Sequence, residues 1–172
     1  MRANPLFLGI SAFVTLSHAS DSPSNTSALT PWISPIELAP AFYTLDSIND
    51  CGSSNFTNES SDASPLVSDC LHLADNIRGG GTWVFQSGGT QFQLAQSGTC
   101  AFGVQTECIP FQCVHGGILV KIGNQDIIDV IEGSVARFAT SEGKVGSKGH
   151  MFCQEVGDEH PIPVLWGIYH SP

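Results

Sequence analysis

Basic residues are scarce in this chain: six Lys and Arg stand against sixteen Asp and Glu among 172 residues, for a formal net charge of −10. That balance argues against nucleic acid and anionic membrane surfaces as partners, because both require a positive face that displaces counterions. Long apolar runs are lacking as well. The stretch from Leu6 to Leu16 is too short to cross a bilayer and no later run approaches that length, so no membrane insertion is expected. Missing too are a G-x-S-x-G elbow, a phosphate-binding loop and an H-E-x-x-H helix, which removes the commonest signatures of serine hydrolases, nucleotide enzymes and zinc proteases.

What is present begins with an export signal. Arg2 supplies a short positive region, Leu6 to Leu16 the apolar region and Ser17-His18-Ala19 the small residues of a cleavage site, so 1–19 is expected to be a signal peptide. All six cysteines, Cys51, Cys70, Cys100, Cys108, Cys113 and Cys153, lie beyond it. In an oxidising compartment an even count implies a disulfide framework rather than metal or thiol chemistry, and three bridges among six cysteines allow 15 connectivities. Residues 20–48 are dominated by Ser, Thr, Pro and Asn and are expected to be a flexible leader, having too few large apolar groups to offset ordering entropy. Asn25, Asn55 and Asn58 each open an N-x-Ser/Thr sequon, and so are candidate glycosylation sites on the surface of a secreted protein.

The compact part, 49–170, has the length of one domain. Ser64-Pro65 is a helix-start pair, and the spacing of Leu66, Val67, Cys70, Leu71, Ala74 and Ile77 predicts a helix over 65–78 with Cys70 on its buried face. Gly79-Gly80-Gly81 ends it. Thr82–Phe85 and Gln91–Leu94, flanking Ser87-Gly88-Gly89-Thr90, are expected to pair as a hairpin. Thr99–Val104 and Ile118–Ile122 supply two further strands. Between them lie Cys108 and Cys113, expected to bridge each other across a small loop, while the other four cysteines leave three pairings open. Asn124 is expected to cap a second helix over 125–139, with Ile127, Ile128, Ile131, Val135 and Phe138 as its apolar stripe. His150–Gln154 and Val164–Tyr169 complete about six short strands, mostly antiparallel. Two amphipathic helices that need a sheet to cover imply an α+β, disulfide-bonded two-layer sandwich.

Chemistry-bearing residues are sparse. His72, His115, His150, His160 and His170 survive signal removal, but Cys108, Cys113 and His115 lack the spacing of a structural zinc site. Asp126, Asp129 and Glu132 align along one side of the second helix, an arrangement open to general-acid chemistry. Helix-end electrostatics accounts for the first two more simply, as carboxylates on a solvated face near the positive end of the macrodipole. Trp83 and Trp166 lie in strand patterns and are expected in the core. No catalytic residue, metal site or cofactor is assigned on these grounds.

Several blocks taken in order, Asp50-Cys51-Gly52, Ser64 to Cys70, Gly98 to Val104, Val120 to Ile128 and Gly143 to Cys153, together with the closing Trp166-Gly167-Ile168-Tyr169, resemble the necrosis-inducing factor family. These are secreted effectors of plant-pathogenic fungi, first described as extracellular protein two. The resemblance covers about 49–169. It implies a secreted virulence factor that provokes plant cell death without an enzymatic mechanism, through an unidentified host target protein or surface component. Similar domains appended to some fungal chitinases look killer-toxin-like, which makes an antimicrobial protein the alternative and a hydrolase a weaker one. Cys51, Cys70, Cys100 and Cys153 fall in matching blocks, whereas Cys108 and Cys113 look like an added pair, in keeping with a bridge between them. The oligomeric state does not follow from the sequence.

Overall fold

The computed structural model describes residues 39–43, 49–107, 117–158 and 160–171. The signal peptide, most of the leader with Asn25, and the segment holding Cys108, Cys113 and His115 lie outside the described residues. Ten elements follow in order: β1 (Ala41–Tyr43), β2 (Thr57–Asn58), α1 (Val67–Asn76), β3 (Thr82–Gln86), β4 (Phe92–Ser97), β5 (Cys100–Thr106), β6 (Leu119–Gly123), α2 (Asn124–Phe138), β7 (Ser147–Gln154) and β8 (Pro161–His170). They form a three-stranded sheet of order β1-β3-β6 and a five-stranded sheet of order β2-β7-β8-β5-β4, with every pairing antiparallel. The expected α+β disulfide-bonded class holds, with eight strands rather than six.

Period-two alternation decides which face of the five-stranded sheet is inward. On β8, Ile162, Val164, Trp166 and Ile168 are buried, and on β5 Phe102 and Val104 are buried opposite Ile168 and Trp166. These residues join Cys70, Leu73 and Ala74 of α1 and Ile127, Ile128, Val130 and Ile131 of α2 in one apolar cluster. At about 25 cal/mol per Å², each fully buried Ile, Leu or Phe in it contributes roughly 1.5 to 3 kcal/mol. The outward residues of β5, β7 and β8 lie on the other face, where Ala101 and Gly103 are buried and Lys148, Phe152 and Leu165 are exposed.

Among the described residues two disulfides lock the elements together. Cys70 bridges Cys100, tying α1 to β5, and Cys51 bridges Cys153, tying the segment before β2 to the end of β7. Sequence alone left these pairings open.

Four expectations are corrected. The 82–94 hairpin does not form: β3 pairs with β1 and β6, whereas β4 turns through Gly98-Thr99 into β5, with Ser97 opposite Cys100. Gly98 has φ +52°, the left-handed conformation that a two-residue hairpin loop demands, and the longer Ser87–Thr90 connection instead carries the chain from one sheet to the other. The leader is not wholly unstructured. Ala41–Tyr43 within it is an edge strand on β3, and Phe42 packs on Trp83 with ring centroids 4.9 Å apart.

Helix α1 starts at Val67, with Leu66 rather than Ser64 at its cap. Ser64 Oγ is spent on a preceding turn, where it accepts the Ser61 amide at 2.9 Å, and Leu66 N–H donates to Thr99 Oγ1. Likewise Gly123 caps α2 and Asn124 is its first residue. The Asn124 side chain donates to the carbonyls of Ile77 and Gly80 and accepts Trp83 Nε1–H at 3.0 Å, so it clasps the triglycine turn instead of capping its own helix.

Candidate functional site

The helix carboxylates do not share one environment. Asp126 is buried, 8% exposed, and its Oδ2 accepts backbone amides from Asp50 at 2.7 Å, Gly123 at 2.9 Å and Cys51 at 3.2 Å. The expected solvated-face placement is therefore wrong for Asp126. It sits at the third helical position and reaches back to the cap amide, and it also pins the segment entering the Cys51–Cys153 bridge. Burial pushes its carboxyl up to about 6, against the opposing effect of the amides it accepts. Asp129 is exposed and accepts Gln125 Nε2–H at 2.6 Å, and Glu132 is exposed in an ion pair with Arg78 at 2.9 Å. One buried anchor and two surface acids are not a catalytic constellation of aligned carboxylates.

The histidines are dispersed. His72 lies against Ser97 Oγ at 3.1 Å, His150 against the Asn55 side chain and the Phe152 ring, and His160 against Asp158 at 2.7 Å. Among the described residues no three His, Cys, Asp or Glu side chains are grouped to hold a metal. Trp166 is in the core as expected and donates to Ser54 Oγ, while Trp83 is only half buried.

The sequon asparagines Asn55 and Asn58 are both on the surface. Asn55 Oδ1 accepts the His150 amide at 2.8 Å and its Nδ2 lies 2.9 Å from His150 Nδ1, so this side chain fastens the strand edge to β7. Asn58 Oδ1 accepts the Ser60 amide in a local turn.

Sequence reasoning missed a cleft of about 510 Å³ on the outward face of the five-stranded sheet. Its volume falls in the range of small-ligand sites. Register places one row of outward residues straight across the sheet: Thr57, Lys148, Gly167, Gly103 and Gln93, on β2, β7, β8, β5 and β4 in turn. The two central positions are glycines, of which Gly167 is left uncovered while Gly103 lies beneath the Tyr169 and Gln91 side chains.

Along one side stand His150, Leu165 and Gln105, directly opposite one another on β7, β8 and β5. On the other side Tyr169 leans over Gly103. A Cβ there would lie 2.9 Å from the Tyr169 ring and hydroxyl, so only glycine fits beneath it. Tyr169 O–H donates to Gln93 Oε1 at 3.3 Å, and its burial raises its pKa. The lining is rich in amides and carries little charge: Lys148 is paired with Glu59 at 2.5 Å, and Glu107 is the carboxylate on the rim. The alternation Leu165, Gly167, Tyr169 and Ala101, Gly103, Gln105 was available in the sequence. Only the cross-strand register shows that the small residues coincide.

Fold and cleft together define a small disulfide-stapled α+β domain with one helix-covered and one open sheet face. Residues 50–153 match the family described as "pathogen effector; putative necrosis-inducing factor", and the chain belongs to that family. It is similar, at 36% identity over 73% of its length, to a segment of the probable chitinase LysM18 of Penicillium expansum. A second similarity, 33% over 67% of the chain, is to the secreted chitinase LysM12 of the same organism. The chain spans only 8% and 7% of the lengths of these relatives.

Proposed function

We propose that this protein is a secreted, non-enzymatic effector that triggers host plant cell death by binding a host target, with the open sheet face as its contact surface. Membership of the effector family carries the reading. The lining suits binding: among the described residues it holds amides, glycines and a lysine paired with Glu59, and Glu107 as the one carboxylate. The Cys51–Cys153 and Cys70–Cys100 bridges suit an extracellular setting. Infiltration of the purified chain into leaves tests the reading. Necrosis at low micromolar protein, retained in a Glu107→Gln variant, supports it, and an inert folded protein overturns it.

A second reading draws on the relatives, which are named as chitinases. A domain shared with enzymes directed at chitin acts close to that polymer, and on this reading the chain is a killer-toxin-like antimicrobial protein directed at competing fungi. Growth inhibition on fungal lawns without leaf necrosis would favour it over the first.

A further inference from the structure

We infer that the glycine-floored trough on the open face of the five-stranded sheet is a glycan-binding site, and that its ligand is a chitin oligosaccharide. The inference rests on the reading above that the domain acts by binding near chitin, and it names the site and the ligand chemistry. Outward residues on one strand recur about every 7 Å, so the walls on either side of the Gly103–Gly167 row stand roughly 13 Å apart between Cα atoms. That is the breadth of one sugar ring with the side chains that hold it. The row crosses five strands, but Thr57, Lys148 and Gln93 carry side chains and Tyr169 covers Gly103, so the uncovered stretch lies at Gly167 and takes one ring of a longer chain. The trough is open at the surface, as a polymer segment requires.

Its chemistry matches a neutral pyranose chain. Sugar rings present apolar C–H faces and a polar rim, and they are bound by aromatic surfaces together with planar amides. Here the Tyr169 ring lies over Gly103 at one margin, while His150 in the opposite wall stands edge to face with Phe152 at 5.1 Å. Phe152 is 48% exposed and Leu165 37%, apolar surface facing outward on β7 and β8.

Gln105 spends its amide N–H on the Gly89 carbonyl, which leaves its Oε1 as an acceptor for a ligand donor. The acetamido group of N-acetylglucosamine brings such an N–H donor, and its methyl has Leu165 to pack on. Plain glucans offer neither. Lys148 is paired at the surface with Glu59, which weakens its pull on an acidic polysaccharide.

Gly167 provides the decisive substitution. A Cβ there would meet nothing nearer than Tyr169 at 3.9 Å and a backbone oxygen at 4.0 Å, and its φ is not in the left-handed region. Gly167→Val therefore fills the trough with a residue suited to a strand and leaves the fold intact. Calorimetric titration of the folded, secreted chain with N-acetylchitohexaose, cellohexaose and oligogalacturonate is the experiment, with Gly88→Ala, which points into open space, as control. Chitohexaose should bind wild type and the control alike, and Gly167→Val should weaken it at least tenfold at an unchanged melting temperature.

Absence of chitohexaose binding, equal binding by Gly167→Val, or preference for cellohexaose or oligogalacturonate would each overturn the inference. So would a trough that proves to mediate self-association, read as a Gly167→Val variant that loses a dimer rather than a sugar. Leaf infiltration of the same samples separates the two readings. Necrosis without glycan binding sinks the glycan site and leaves the effector role standing, and glycan binding without necrosis does the reverse.

Discussion

Asp126 and Asp50, 76 residues apart, meet where the Asp50 backbone amide donates to Asp126 Oδ2 at 2.7 Å, and their carboxylates share one neighbourhood. The Asp50 side chain is engaged in turn by Thr82 Oγ1–H at 2.8 Å and by Lys121 Nζ at 3.8 Å. This junction fastens the N-terminal end of α2 to the segment that enters the Cys51–Cys153 bridge.

Stability at this junction depends on pH with a definite sign. Burial raises the Asp126 pKa from 3.8 to about 6, so between those values the folded protein holds a proton that the unfolded chain has released. Stability from this group is therefore fully present below about pH 4 and is lost as pH rises through 6, by about 2 kcal/mol once solvent access through the neighbouring pocket is allowed for. Urea midpoints of wild type and D126N at pH 4 and pH 7 read it out. The wild-type advantage over D126N should shrink at the higher pH, and a constant difference would refute the assignment. Asp129→Asn, on the exposed side of the same helix, should leave both midpoints unchanged within about 0.5 kcal/mol.

The clasp at Asn124 makes a second prediction. Its side chain is 2% exposed and engages two carbonyls and one indole, so Asn124→Ala leaves the Ile77 and Gly80 carbonyls without their donor. A loss of about 1 to 3 kcal/mol is expected, since a stranded polar group costs roughly 1 to 3 kcal/mol when buried and these two carbonyls belong to half-buried residues. Chemical denaturation measures it. A Trp83 emission shift toward that of exposed tryptophan should accompany the loss, and a variant within 0.5 kcal/mol of wild type would show that water replaces the clasp.

The two bridges differ in the loops they close, 102 residues for Cys51–Cys153 and 30 for Cys70–Cys100. In the chain-entropy model the longer loop favours the first bridge by only about 1 kcal/mol. Packing opposes that margin: Cys70 and Cys100 are both fully buried, whereas Cys51 is partly exposed. Replacing Cys70 and Cys100 with Ser puts two hydroxyls into the apolar cluster, at roughly 1 to 3 kcal/mol each. That double variant should thus melt lower than the Cys51/Cys153 pair of Ser substitutions. The reverse order would mean that unfolded-state entropy dominates packing in this domain.

Local signals carried most of the fold because they act over a few residues. The stripe of α2, the Gly79–Gly81 stop and the strands around Phe102 and Trp166 all follow from period and turn chemistry. What failed required partners far along the chain. The β3–β4 hairpin was lost because β3 finds its mate in β6, far along the chain, while the tight Gly98-Thr99 turn gives β4 a closer partner in β5, and Ser64 was displaced as a cap because Thr99 and Gly143 supply groups to the start of α1. Asp126 looked like a surface dipole partner until the Asp50 and Cys51 amides were seen to converge on it. The cleft was illegible for the same reason, since Gly103 and Gly167 become neighbours only through the register of β5 on β8.

Two glycines with positive φ, Gly98 at +52° and Gly143 at +71°, allow backbone strain to be separated from a specific contact. Each substitution by Ala incurs the left-handed penalty of about 1 kcal/mol. At Gly143 nothing lies within 4 Å of the added Cβ, so that penalty is the whole expected effect. At Gly98 the Cβ would come 2.5 Å from Asp69 Oδ2, the atom that accepts both the Thr99 amide and the Thr99 hydroxyl at 2.7 Å. Those bonds hold the Asp69 pKa below its ordinary value, and they join α1 to the β4–β5 turn next to Cys100. Gly98→Ala must either displace Asp69 or open the turn, so it should cost at least 1 kcal/mol more than Gly143→Ala in urea denaturation. The Asp69 carboxyl should also titrate closer to its ordinary range in the Gly98 variant, by carbon-detected NMR, and keep its low value in the Gly143 variant. Equal costs with an unmoved Asp69 would show that the turn absorbs the methyl group and that the Asp69–Thr99 contact does not depend on glycine.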